Sequence, residues 1–217
     1  MTIRILLADD HKIVFDSLRS LIDRQPDMEV VGGAEDGRLA VSQVRELRPD
    51  VVIMDVTMPN LNGIEATRQI TSQYPETKVV ALSMHSDKQF VTGILSAGAS
   101  GYLTKNCSFD ELVKAVRLVA ENKKYLCPDV TGIVIEESLS GSSHPASSSF
   151  DLLSTREREI MQLLAEGKTI KQIAEQLFLS IKTIYTHRNQ IMKKLQVKNM
   201  AELTKLALRD GLITQQH

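Results

Sequence analysis

Polar side chains stand where four apolar runs of this chain stop, and their chemistries suit one another. Asp9 and Asp10 follow Ile3-Arg-Ile-Leu-Leu-Ala8, and Asp55 follows Val51-Val-Ile-Met54. Ser83 closes Lys78-Val-Val-Ala-Leu-Ser83, and Lys105 closes Gly101-Tyr-Leu-Thr-Lys105. Three carboxylates gathered in one pocket repel, and raise one another's pKa unless a cation neutralises them. All-oxygen ligands favour Mg2+, which commonly bridges protein carboxylate to phosphate. A carboxylate such as Asp55 can also act as a nucleophile and form an aspartyl-phosphate. A metal ion and the Lys105 ammonium would offset charge developing on the phosphoryl oxygens, and the Ser83 hydroxyl is placed to donate to one of them. Taken singly, a strand-end Asp is usually a turn former or helix cap, and a lone Lys a solvated charge. The joint placement, at four strand ends in chain order, is what points to phosphoryl chemistry.

Positioning these groups requires a sheet. Short apolar runs bounded by turn signals read as strands buried on both faces of a parallel sheet. Strands are predicted at 3–8, 28–32, 51–55, 78–83 and 101–105, with helices by apolar spacing at 12–24, 37–48, 64–73, 87–97 and 109–121. Asn62-Gly63 marks a turn and Ser108 is a candidate N-cap. Five strands alternating with five helices predict a doubly wound α/β fold, whose ligands lie beyond the carboxyl ends of the strands. A short helix is expected over 128–137. After it, 138–149 (Ser-Leu-Ser-Gly-Ser-Ser-His-Pro-Ala-Ser-Ser-Ser) reads as a low-complexity flexible tether. Such a tether transmits little force, so control by releasing an interface or by dimerisation is expected, not control by a rigid lever.

The remaining residues change character. Ser154, with Glu157 three residues on, has the capping-box pattern and opens a helix that Gly167 stops. Thr169 is a candidate cap for a second helix with Ile170, Ile173, Ala174 and Leu177 inward. Phe178-Leu-Ser is a short turn, Ser180 caps a third helix ending near Leu195, and a fourth spans 200–209. Two helices joined by a tight turn, the second basic, are the geometry of an all-α helix-turn-helix domain. In the third helix Ile181, Ile184, Ile191, Met192 and Leu195 are expected to be buried. Lys182, Thr183, Tyr185, Thr186, Arg188, Asn189, Lys193 and Lys194 would point away. Lys and Arg neutralise phosphates, while Thr, Tyr and Asn can reach base edges in the major groove. His187 reads as a partly packed helix histidine or a phosphate contact.

Composition is consistent with this division. Apolar residues make up 42% of the 217 and charged residues 24%, ordinary globular usage. No apolar run approaches the ~18 residues of a membrane span. Acidic residues stand where a signal peptide would need its cleavage site. Cys107 and Cys127 lack metal-ligand spacing, so a reduced, cytoplasmic protein is expected. Residues 1–149 carry 15 Lys and Arg against 20 Asp and Glu, and residues 150–217 carry 11 against 7. An acidic front and a basic back imply different partners.

Residues 1–125 resemble a response-regulator receiver domain. The resemblance rests on Leu-Ala-Asp-Asp-His (7–11), Asp-Val-Thr-Met-Pro (55–59), Asn62-Gly63, Ala-Leu-Ser (81–83) and Ala-Gly-Ala-Ser-Gly-Tyr-Leu-Thr-Lys (97–105). It implies a sheet order of 2-1-3-4-5 and phosphorylation of Asp55 by a sensor histidine kinase. It also implies Mg2+ held by Asp9, Asp10, Asp55 and the Thr57 carbonyl, with Lys105 on the phosphoryl group. Ser83 and Tyr102 would form the switch, and Thr57 and His85 would tune dephosphorylation. One departure is Asn106 after Lys105, where many receivers have a proline in a cis peptide. A cis bond before a non-proline residue costs ~2.5–4 kcal/mol, so the departure bears on the local backbone, not on the charge of Lys105.

Residues 150–215 resemble a LuxR-type DNA-binding domain through Leu-Ser-Thr-Arg-Glu-Arg-Glu, Leu-Leu-Ala-Glu-Gly, Lys-Gln-Ile-Ala-Glu-Gln-Leu, Ser-Ile-Lys-Thr-Ile-Tyr-Thr-His-Arg and Ile-Met-Lys-Lys-Leu. The resemblance implies that Tyr185, Thr186 and Asn189 face bases. Thr169, Lys171, Lys182, Thr183, His187 and Lys193 would position the phosphate backbone, and Met200, Leu203 and Leu206 would supply a dimer face. Together the halves are similar to a NarL/FixJ-type response regulator, with a receiver at 1–127, a linker at 128–149 and a DNA-binding domain at 150–217. The implied partners are a histidine kinase, double-stranded promoter DNA, a second copy of the chain and RNA polymerase, with no membrane. The output would be binding, not enzymatic turnover. A phosphatase of the haloacid-dehalogenase type needs a second aspartate two residues after the nucleophile, where this chain has Thr57. A phosphorylation-independent regulator would show an eroded acidic pocket, whereas this one is intact.

Overall fold

The computed structural model describes residues 2–139 and 149–213, which fall into two compact units, one formed by 2–139 and the other by 149–213. No helix is long and apolar enough to cross a membrane among the described residues. In the first unit β1 (Ile3–Ala8), α1 (Lys12–Ile22), β2 (Met28–Ala34), α2 (Gly37–Leu47), β3 (Val51–Asp55), α3 (Gly63–Gln73), β4 (Lys78–Ser83), α4 (Lys88–Ser96), β5 (Gly101–Thr104) and α5 (Phe109–Ala120) alternate as predicted. The sheet is parallel, in the order β2-β1-β3-β4-β5-β6, where β6 is Tyr125–Leu126. Every residue of β3 is buried, because helices cover both faces and leave no solvent side for a polar alternation. One face packs Ile5, Leu7, Ile53, Val80 and Leu103, and the other packs Leu6, Val52, Met54 and Val79.

The predicted count of five strands is corrected to six. β6 (Tyr125–Leu126) is two residues long, too short to show a period-two pattern. It is held by Tyr125 N–H donating to the Ser100 carbonyl at 3.1 Å and Cys127 N–H donating to the Tyr102 carbonyl at 3.0 Å. β2 also runs two residues past its predicted end. Gly33 lets it, since a Cβ there would lie 2.2 Å from the ring of Phe15.

The helix expected near Pro128 is α6 (Pro128–Leu139), and it is docked on the first unit. Val130 is fully buried, while Ile133 and Val134 pack on the core shared with β5. Thr104 Oγ1 lies 3.4 Å from Asp129 Oδ2, and Lys88 of α4 is ion-paired with Glu137. The predicted tether over 138–149 falls mostly on residues 140–148, outside the described residues.

The second unit holds α7 (Thr155–Ala165), α8 (Ile170–Gln176), α9 (Ile181–Lys194) and α10 (Met200–Arg209). Each opens on a capping side chain. Ser154 and Thr169 make full capping boxes with Glu157 and Gln172, Ser180 accepts from Thr183 N–H, and Asn199 accepts from Glu202 N–H. Such caps satisfy backbone donors the helix cannot, at ~1 kcal/mol each. Ile160, Met161, Leu163, Ile173, Ile184, Ile191, Leu203 and Ala207 form the core. The α8–α9 turn passes through Phe178 in the left-handed region, with φ 54°, and its side chain is exposed.

Candidate phosphoacceptor pocket and nucleic-acid interface

Parallel register brings the strand ends of the first unit together. Ala8 pairs with Met54, Asp55 with Leu82, and Ser83 with Thr104, so Asp9, Asp55, Ser83 and Lys105 meet beyond one edge. Asp55 is 2% exposed. Lys105 Nζ lies 2.7 Å from both Asp55 Oδ2 and Asp9 Oδ2. Burial pushes the Asp55 carboxyl above the usual carboxylate range, and Lys105 only partly offsets that. Burial also works against the Lys105 charge, but Asp55 and Asp9 outweigh it and hold the ammonium above its ordinary pKa. The pocket therefore keeps one firmly charged cation between two buried carboxylates.

Asp10 is more open, with a side chain 31% exposed, and its Oδ1 lies 3.0 Å from His11 Nδ1. His11 is a member of the cluster that spacing did not single out. Its backbone N–H donates to Asp9 Oδ1 at 2.8 Å, and one ligand atom from each of Asp9, Asp10, His11 and Asp55 lies within 4.8 Å of the others. The Asp-Asp-His run was the available signal. Hard oxygen donors from three carboxylates, two of them buried, suit a divalent cation such as Mg2+. Thr57 N–H donates to Asp55 Oδ1 at 3.3 Å, which fixes the carboxylate's orientation. Gly63, at the start of α3, runs directly beneath the site. A Cβ there would stand 1.9 Å from the Asp55 carbonyl oxygen, so only glycine admits this approach.

Ser83 is fully buried, and its Oγ accepts from His85 N–H at 3.0 Å. Tyr102 is fully buried too. Its hydroxyl donates to the His85 carbonyl at 2.5 Å, and burial pushes its pKa up to about 12, so it stays a donor at any physiological pH. The peptides around Lys105 and Asn106 are trans, as are all others among the described residues. Burial likewise pushes the Cys107 thiol up to about 11, away from thiolate reactivity.

The second site is on the outside of α8 and α9. Lys182, Asn189 and Lys193 are exposed and Arg188 partly so, and none of the four makes a side-chain hydrogen bond or ion pair among the described residues. Lys171 is exposed, 4.0 Å from Glu175. Thr169 and Thr183 are engaged in helix caps, and the Thr186 hydroxyl donates to the Lys182 carbonyl at 3.0 Å. His187 is partly buried, with Nδ1 shielded from solvent and unpartnered.

Three expectations are corrected here. Ile181, expected in the core, is 50% exposed, because it is the first residue of α9 and the cap turns it off the packed stripe. Leu203, expected on a dimer face, is fully buried in its own unit, with Met200 and Leu206 packed against the same core. Lys194, expected to point away, reaches back to Glu157 Oε2 at 2.6 Å.

Comparison with known proteins follows the same division. The response regulator receiver domain family matches residues 5–117, and the luxR family of bacterial regulatory proteins matches residues 151–207. The oxygen regulatory protein NreC of Staphylococcus carnosus is 39% identical over 97% of this chain and 99% of its own length. The response regulator GacA of Pseudomonas protegens is also 39% identical, over 97% of this chain and 98% of its own. Among solved structures, the Salmonella typhimurium RcsB response regulator matches with a TM-score of 0.58 at 28% identity, over 94% of this chain and 97% of that one. On these grounds the chain belongs to the NarL/FixJ family of two-component response regulators.

Proposed function

We propose that this protein is a transcription regulator switched by phosphorylation of Asp55. A receiver (1–127) would be joined by a linker (128–149), whose first part is the docked helix α6, to a DNA-binding domain (150–217). The observation that carries the reading is Lys105, held 2.7 Å from both Asp55 and Asp9 in a pocket where Asp55 is 2% exposed.

In this reading an Asp55 carboxylate oxygen attacks the phosphohistidine of a sensor kinase. The O–P bond forms as the N–P bond breaks, and the histidine leaves with its electron pair. Asp9, Asp10, Asp55 and the Thr57 carbonyl would hold Mg2+, which would supply positive charge against the phosphoryl oxygens. Lys105 adds its own charge and Ser83 donates to one oxygen. Turning Ser83 toward the phosphoryl group takes an acceptor from His85 N–H. The same residue's carbonyl holds Tyr102, so the hydroxyl–backbone–tyrosine chain carries the change to the start of α4. The phosphorylated protein dimerises, binds promoter DNA in the cytoplasm and alters transcription through RNA polymerase. A solved structure of two RcsB dimers bound to two parallel DNAs, with a TM-score of 0.58 at 27% identity, supports the DNA-bound dimer. Tyr185, Thr186 and Asn189 are assigned to bases. Thr169, Lys171, Lys182, Thr183, His187, Arg188 and Lys193 are assigned to phosphates.

The test treats the full chain with a small phosphodonor and Mg2+ and reads intact mass and native size together, beside Asp55→Asn. One added phosphoryl group with dimers, both absent from the variant, is expected. A folded protein that takes no label would overturn the phosphorylation reading.

A further inference from the structure

Ile181 and Tyr185 are each 50% exposed. Lone exposed apolar side chains are ordinary on protein surfaces. These two are not alone: they stand four residues apart on α9, and so one above the other on its surface. The same i, i+4 row continues to exposed Asn189. The packed stripe runs through Ile184 and Ile191, so the row is separate from the core. The helix Ile181–Lys194 contains no acidic residue, and Lys182, Arg188 and Lys193 flank the row. An apolar pair set among unpaired cations complements a surface that is polyanionic at its edges and apolar at a point inside.

We propose that Ile181 and Tyr185 read thymine through its C5-methyl group in the major groove. The proposal rests on the DNA-binding reading above and gives it a base. Recognition helices contact base edges with their N-terminal residues, and Ile181 is the first residue of α9. Among the bases only thymine presents an apolar group in that groove. Asn189, one turn past Tyr185, has the amide that pairs with adenine N6 and N7, so the whole row suits A·T pairs. From Ile181 to Asn189 the helix rises ~12 Å, which is about four base pairs, so the thymines fall within one short half-site.

The phosphodonor-treated full chain is used to select duplexes from random-sequence DNA. Each thymine of the selected half-site is then replaced singly by deoxyuridine, which removes the methyl and leaves every hydrogen-bonding group. The expected result is a loss of affinity of about fourfold at one or two thymines within about four base pairs, the value of one buried methyl. Ile181→Ala or Tyr185→Ala, both at surface positions, should bind the thymine and deoxyuridine duplexes alike at the position each residue reads. Specific binding that no deoxyuridine weakens would overturn the proposal and leave the DNA-binding reading standing. So would a deoxyuridine effect that persists unchanged in both variants. Failure to enrich any duplex would overturn both readings together.

Discussion

In the pocket at the sheet edge, Lys105 is 9% exposed and lies 2.7 Å from two carboxylates. On α9, Lys182 and Lys193 are exposed and meet no carboxylate among the described residues. Both regions concentrate charge, yet one compensates it internally and the other leaves it for a partner. A buried charge must be paired inside the protein, because burying it alone costs several kcal/mol. A surface cation needs no internal partner, and pairing it would weaken its attraction to phosphate. Covalent chemistry on Asp55 thus depends on a few interlocked groups, whereas polyanion binding sums many independent ones.

That contrast breaks most visibly at Lys105. Lys105→Met leaves Asp55 and Asp9 uncompensated and should cost about 3 kcal/mol of stability near neutral pH, measured by urea unfolding without metal. Asp55 already titrates above the usual carboxylate range, and loss of the ammonium raises it further. A carboxyl whose folded pKa is raised favours folding below its unfolded value and loses that advantage as pH rises through the folded one. The deficit should therefore shrink in acid and grow with pH, and added Mg2+ should recover part of it. A deficit independent of pH would mean that the pair is not electrostatically coupled.

The second unit contains one exception that sharpens the comparison. Glu157 is 3% exposed, and burial raises its pKa, but Lys194 and the Ser154 cap outweigh this and hold it below its ordinary range. Glu157→Ala removes a capping box and an ion pair at once, at an expected cost of about 2 kcal/mol, discounted because Lys194 is 42% exposed. A lowered folded pKa contributes stability above the unfolded value of ~4.3 that is lost as pH falls through the folded one. Wild type and variant should converge below about pH 4, read by hydrogen exchange in α7 and α9. The smallest effect belongs to the open cations. Lys182→Ala should leave the fold intact, weaken all duplexes alike and reduce the salt slope of binding by about one. A loss confined to one sequence would move Lys182 from phosphate to base.

Legibility from sequence followed the same line. Asp9, Asp55, Ser83 and Lys105 were readable because each ends a strand, and parallel strands bring their ends to one edge. Gly63 was read only as a turn, since its closeness to the Asp55 carbonyl comes from α3 folding back over β3. Ile181 and Lys194 were misassigned because helical periodicity fixes a stripe but not how far the packing partners reach along it, and Leu203 because the resemblance offered a dimer face where the chain packs its own core. Lys194 shows this most plainly: its partner Glu157 is 37 residues away, in α7.

The two residues of β6 also bear on the protein's resistance to aggregation. An unpaired strand edge presents a row of free N–H and C=O groups that a second chain can extend. Tyr125 and Leu126 occupy that row along Gly101 and Tyr102, and α6 then folds over the same flank. Any fragment of the first unit made for study therefore needs to run beyond Leu126, so that β5 does not become the template for pairing between copies.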